Sequence, residues 1–279
     1  TGGSSGEYGM DTVFSGAGND TVYVGSAYSG YSDYQVVDAG DGDDQVYAYV
    51  SNYTGRNSMM GGAGNDTLVA TGGSTNVMSG GLGNDSMVGG TGSDTMLGGV
   101  GNDTIAVFSG TDSVDAGDGN DVVISAGYGT LRGGAGDDQL LHSGTSAINL
   151  FGDAGNDTLV SGTGTDSLEG GSGNDSLFSA GGADTMRGGD GDDTMGFGGG
   201  SRIFGDAGND RIVSKGAVAS STVWGGEADD YIDMRADTLG DTIFGDNVSV
   251  LVTDGKDTIY GGSGVDSINA GGADDYVSA

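Results

Sequence analysis

The smallest pattern in this chain is a triplet with one large apolar residue between two positions free to face solvent. Thr67-Leu68-Val69 is an example. In an extended backbone the middle side chain points one way and its neighbours the other, so each triplet predicts a very short strand with its centre turned inward. Between triplets the chain is glycine and polar residues. The full unit is nine residues, Gly-Gly-x-Gly-x-Asp-x-U-x, where U is large and apolar. Good copies run from Gly61 to Val69, Gly80 to Val88, Gly89 to Leu97, Gly98 to Ala106 and Gly170 to Phe178. The Asp is kept in 21 copies, and about eight further turns keep only the apolar position, at Val37, Met59, Val77, Leu131, Leu150, Ile203, Val223 and Val250. A fixed period of this kind predicts a repeat array in which each unit buries its apolar face only against its neighbours.

A longer period lies over the first. Twelve Asp residues, each preceded by Asn or Asp, recur every 17 to 24 residues: Asp20, Asp44, Asp66, Asp85, Asp103, Asp121, Asp138, Asp157, Asp175, Asp193, Asp210 and Asp230. The preceding residues are Asn19, Asp43, Asn65, Asn84, Asn102, Asn120, Asp137, Asn156, Asn174, Asp192, Asn209 and Asp229. Glycines permit tight turns whose carbonyls can point at a cation. Six to eight hard oxygens, carbonyl and carboxylate together, are what Ca²⁺ takes.

The motif resembles the RTX family of hemolysin-type calcium-binding nonapeptide repeats, over essentially the whole chain. The resemblance implies an all-β fold: a right-handed parallel β-roll, or β-solenoid, stabilised by calcium, with two nonapeptides per turn. About 29 half-turns then give about 14 turns, at a spacing of ~4.8 Å per turn. The expected domain is one continuous repeat solenoid over 1–279, with Tyr-rich irregular turns at 24–57 and irregular turns at 231–256.

Consecutive nonapeptides face opposite edges of such a roll. The twelve Asp residues fall on one edge, which predicts a one-sided ladder of about eleven or more Ca²⁺ ions between turns. The other edge carries Asp11, Asp94, Asp112, Asp166, Asp184, Asp241, Asp257 and Asp275, broken by Asn57, Thr75, Gly129, Ile148, Ser201 and Ser221. Spacing is irregular beyond Asp230, so Asp266 is a further ligand that fits either edge. With a core one row thick, the ion-free chain is expected to be unfolded and calcium to fold it.

Composition supports this and closes other routes. The 279 residues include 63 Gly, no Pro and no Cys, with a formal net charge of −33. Disulfides are excluded, and no apolar run is long enough for a membrane-spanning helix. Eight Lys and Arg against 41 Asp and Glu disfavour nucleic acid and membrane insertion. The one histidine, His142, is read as a surface residue, and a nucleophilic triad is improbable; no enzyme activity is expected. Repeated pairs such as Asp43-Asp44 read as ligands rather than acid/base pairs. Asn52-Tyr53-Thr54 is a glycosylation sequon. Eight of twelve Tyr lie in the first 53 residues, either covering the end of a thin core or forming a contact surface.

The function expected is a non-catalytic, calcium-binding, extracellular or cell-surface structural protein of bacterial type. Val277-Ser278-Ala279 followed by Thr1-Gly2-Gly3-Ser4 runs almost like Val69 to Ser74, so copies can continue one another head to tail into a fibre or surface layer, or serve as an adhesin stalk. The alternative is a secretion and folding module of a larger secreted toxin or enzyme. Ice binding is disfavoured: the position beside the ion that would carry Thr holds Ala17, Asp41, Ala63, Leu82 and similar residues, never Thr.

Overall fold

The computed structural model describes residues 10–26, 34–50, 55–72, 75–216, 219–246 and 255–279, with 28 strands and no helix among them. Val250, Tyr28, Tyr31, Tyr53 and the Asn52 sequon lie outside the described residues. The chain divides into two compact units, Thr1–Gln139 and Leu140–Ala279. Each is a parallel β-solenoid. Consecutive strands lie in opposite sheets, and each strand pairs with the strand one circuit away. Tyr34–Asp41, for example, lies between Met10–Ala17 and Arg56–Ala63, in parallel register with both. In each unit, seven strands of the first series enclose six complete circuits, about 12 in the chain against the about 14 anticipated.

The triplets behave as their pattern predicts. In Thr67–Thr71 and Thr158–Ser161 burial alternates residue by residue. The inward centres stack into two facing columns. In the first unit these include Val37, Met59, Met78 and Met96 against Val46, Leu68, Met87 and Ile105; in the second, Leu150, Leu168, Met186 and Ile203 against Leu159, Leu177, Met195 and Ile212. A third inward column adds Ala48 and Ala70 in the first unit and Ser161, Ser179 and Phe197 in the second. The core is therefore thicker than one row.

Glycine makes the corners. Gly62 has φ +116°, and a Cβ there would overlap the Gly40 carbonyl one turn back, so neither the conformation nor the space accepts a side chain. The matching corner carries Asp153 and Asp206, both with positive φ, in the second unit. Asp206 is held there by the Arg187 guanidinium, whose Nη1 donates to both carboxylate oxygens at 2.7 and 2.6 Å.

Three expectations are corrected. Met78, not Val77, fills the core between Met59 and Met96; Val77 faces out. His142 is buried at a third-column position, with Nε2 3.2 Å from the Ser146 carbonyl. Beyond Asp230 the order of edges also differs, as the hydrogen bonds below establish. Among the described residues no helix is long and apolar enough to cross a membrane.

Candidate metal centre

Each Asp of the first edge sits at the end of a glycine corner, just before a strand of the second series. Its backbone N–H donates to Oδ1 of the Asp one turn further on. In the first unit the chain of bonds runs Asp20 to Asp44 (2.7 Å), Asp44 to Asp66 (2.8 Å), Asp66 to Asp85 (2.8 Å), Asp85 to Asp103 (2.7 Å), Asp103 to Asp121 (2.6 Å) and Asp121 to Asp138 (2.8 Å). In the second it runs Asp157 to Asp175, Asp193, Asp210 and Asp230 at 2.7–2.8 Å, then to Asp257 at 3.0 Å and Asp275 at 3.1 Å. Asp257 and Asp275 therefore continue the first edge. Asp266 does not: it accepts from the Asp241 N–H at 3.0 Å and belongs to the second edge. The physical reason is strand Thr242–Asp246, which fits a full half-turn between Asp241 and Asp257 and restores strict alternation.

The residue before each of the twelve Asp from Asp20 to Asp230 is Asn or Asp for a reason, while Lys256, before Asp257, only donates its N–H to Asp229 Oδ1. The Asn or Asp side chain accepts the backbone N–H of its counterpart one turn on: Asn84 N–H to Asn65 Oδ1 at 2.7 Å, Asn102 to Asn84 at 2.7 Å, Asp192 to Asn174 at 2.8 Å, Asn209 to Asp192 at 2.8 Å. The Asp reaches back one turn and its predecessor reaches forward one turn. Both backbone donors of the corner are satisfied without any ion. The sequence showed the pairing Asn-Asp but not this double stitch, because each partner lies a whole turn away.

What the stitch leaves over is the second carboxylate oxygen. Oδ2 is buried without a partner in Asp20, Asp44, Asp66, Asp85, Asp103 and Asp121 of the first unit and in Asp175, Asp193, Asp210, Asp230 and Asp257 of the second. In Asp85, Asp103, Asp175, Asp193, Asp210 and Asp230 it lies against the bare Cα of the glycine five residues earlier, and a Cβ on Gly80, Gly98, Gly170, Gly188, Gly205 or Gly225 would collide with it. The same imaginary Cβ also meets a carbonyl oxygen of the next turn, that of Gly98 beside Asp85 or Gly188 beside Asp175. Two kinds of oxygen acceptor thus converge with no donor between them. A buried acceptor left unmade is costly.

The electrostatics agree. Burial is the main cause that raises Asp85 and Asp193 to about 7, Asp210 to about 8 and Asp230 to about 9; neighbouring carboxylates such as Asp210 beside Asp230 add to it. Asp66, Asp121 and Asp175 are raised for the same first reason. Carboxylate and carbonyl oxygens in this arrangement match the hard-oxygen preference of Ca²⁺. Among the described residues no three His, Cys, Asp or Glu side chains are placed to hold a metal ion by themselves.

The second edge is less regular. Asp94 and Asp112 pair in the first unit (3.0 Å), Asp166 and Asp184 in the second (2.8 Å), and Ser201, Ser221 and Asp241 follow. Asp11 lies in backbone register with Gln35, and Gln35 with Asn57. Asn76, not Thr75, continues this column; Gln35 and Asn76 were missed. The slip at 75–77 is one residue, which flips the face of every side chain in it.

The RTX calcium-binding nonapeptide repeat (4 copies) matches this chain over residues 5–27, 51–87, 71–105, 88–123, 109–127, 125–143, 149–177, 160–195, 170–202, 195–214 and 252–279. No curated protein sequence matches it. Among solved structures it is similar to a hyperactive, Ca²⁺-dependent, β-helical antifreeze protein from an Antarctic bacterium, with TM-score 0.49 and 20% identity, over 82% of this chain and 84% of that one. The matched repeats extend over most of the chain, with the same Gly-rich corners and Asp columns described above: it belongs to the family of RTX calcium-binding nonapeptide repeats.

Proposed function

We propose that this chain is a non-catalytic structural protein whose first edge is a ladder of calcium sites. The ligands would be the carboxylates of Asp20, Asp44, Asp66, Asp85, Asp103, Asp121 and Asp138 in the first unit. In the second they would be Asp157, Asp175, Asp193, Asp210, Asp230, Asp257 and Asp275. The observation that carries this reading is the row of buried Oδ2 atoms facing carbonyl oxygens with no donor between them. A bound divalent cation supplies positive charge to oxygens that otherwise repel one another. The protein's part is to hold them: the Asp N–H to Oδ1 bonds fix each carboxylate, and the glycine corners keep the space beside Oδ2 free. Asp94, Asp112, Asp166, Asp241 and Asp266 are candidate ligands for shorter stretches of the second edge, with Asp11 at its start; Asp184, whose Oδ2 accepts from the Ser179 hydroxyl, is not.

A formal charge of −33 on 279 residues opposes a compact fold until cations neutralise it. Such a chain suits a place where calcium is near millimolar, which favours the extracellular or cell-surface setting. Association of copies into a fibre or layer, or use as a stalk, is the finer part of this reading. A secretion or folding module of a larger secreted protein is the second reading, favoured by the same repeats.

The test is calcium titration of chelator-stripped protein, read by far-UV circular dichroism and by the number of ions bound, with electron microscopy at saturation. A cooperative gain of β structure with several ions per chain is expected, and calcium-dependent fibres support the assembly. Monodisperse rods would favour the module reading. A chain that binds no calcium would end the ladder.

A further inference from the structure

The Asn residues of the second edge occupy the places where the first edge leaves its oxygens bare. Asn76 corresponds to Asp85 in the bond its backbone N–H makes. Its N–H donates to Oδ1 of the Asp one turn on, Asp94, at 2.9 Å, as the Asp85 N–H does to Asp103 at 2.7 Å. At Asp85 the remaining oxygen, Oδ2, lies beside Gly80 together with the Gly98 carbonyl, two acceptors with no hydrogen between them. At Asn76 the atom in that place is Nδ2. It donates to the Gly89 carbonyl at 2.8 Å and to Asp94 Oδ1 at 2.8 Å. Gly89 stands five residues before Asp94, as Gly98 stands five before Asp103. Both amide hydrogens are therefore spent on the two kinds of oxygen that converge on the first edge.

One turn back, Asn57 Nδ2 donates to Asn76 Oδ1 at 2.6 Å. The orientation of the Asn76 amide is forced, since turning it over would set Oδ1 against two further acceptors and Nδ2 against a donor. All three side chains of the Asn57–Asn76–Asp94 run are at most 1% exposed. A related device appears independently in the second unit. Ser179 Oγ donates to Asp184 Oδ2, and Asp184 is not among the carboxylates whose Oδ2 lacks a partner.

We infer that Asn57 and Asn76 are cation substitutes: their amide hydrogens do on the second edge what a divalent cation does on the first, and they exclude calcium from these turns. This rests on the calcium reading of the first edge and adds a rule for which corners take an ion. An Asp whose Oδ2 meets only oxygens takes a cation; an Asn, or a carboxylate met by a hydroxyl, does not. The consequence is a stretch of the first unit, from Asn57 to Asn76, whose second edge is closed by amide hydrogen bonds and does not depend on calcium concentration.

The test compares wild type, Asn76→Asp and Asn76→Ala, each stripped with chelator and refolded by adding CaCl₂. Bound calcium is counted by equilibrium dialysis, and the thermal midpoint is read at saturating calcium. Asn76→Asp recreates the bare oxygen pair and is expected to add at least one Ca²⁺ per chain. Asn76→Ala is expected to leave the wild-type ion count unchanged and to lower the midpoint. A folded Asn76→Asp with the wild-type count would overturn the proposal, as would Asn76→Ala binding fewer ions, which would make Asn76 a ligand. Should Asn76→Asp fail to fold, the alanine variant still decides. Wild type binding no calcium would sink the ladder on the first edge, whereas a wild-type midpoint in Asn76→Ala would sink the amide assignment alone.

Discussion

The backbone N–H of Asp103 donates to Oδ1 of Asp121, one full turn further on, at 2.6 Å, and Oδ2 of Asp121 stays buried with no donor. One oxygen of each carboxylate does structural work for the turn before it, and the other is left for something positive. This division lets the effects of acceptor and charge be separated by substitution.

At Asp103 the two roles predict different outcomes. Asp103→Asn keeps Oδ1 for the Asp85 N–H and replaces Oδ2 with a donor; it should preserve the fold and lower the calcium count. Asp103→Ala also strands the buried Asp85 N–H. That variant should be less stable than Asp103→Asn by about 1–3 kcal/mol. Thermal melts of both at saturating calcium check this, and equal stability would contradict the ladder bond.

Removal of metal should unfold most of the chain near neutral pH. Far-UV circular dichroism in excess EDTA is expected to lose its β signal and to regain it with Ca²⁺ at lower concentration than with Mg²⁺. Mg²⁺ holds its water tightly and demands a stricter geometry than carbonyl corners offer.

Acid should partly replace the metal. Burial raises Asp103 to about 6, Asp85 to about 7, Asp210 to about 8 and Asp230 to about 9, against an ordinary value of 3.8. Between those limits the folded, metal-free chain holds more protons than the unfolded one, so its stability falls as pH rises. In EDTA, β structure is expected to increase as pH is lowered from about 9 to about 5. Calcium affinity should fall over the same window as protons compete for the carboxylates. Loss of structure on acidification in EDTA would contradict the buried carboxylates.

Corner glycines should tolerate nothing larger. Gly99 has φ +122°, and a Cβ there would overlap the Gly81 carbonyl. Gly99→Ala combines an unfavourable backbone, about 1–2 kcal/mol by itself, with a clash against main chain. Chemical denaturation at saturating calcium should show a loss above that figure. Alanine at exposed Ser172, by contrast, should cost under about 0.5 kcal/mol.

Much was legible from the sequence by itself: the nine-residue period, the inward triplet centres, the Asp columns and the calcium-binding family. These are local properties. Glycine decides where the chain can turn, a three-residue strand decides which side chain faces in, and neither needs knowledge of the next turn. What only the tertiary structure decided depends on partners one circuit away. Strand pairing put Met78 rather than Val77 inside, assigned Asp257 and Asp275 to the first edge and Asp266 to the second, and buried His142. It also joins Asn57 to Asn76 by a buried hydrogen bond, where the sequence shows only a break in the Asp pattern. Near-equal spacings leave phase undetermined wherever the loop lengths vary, and only the register of stacked backbones fixes it.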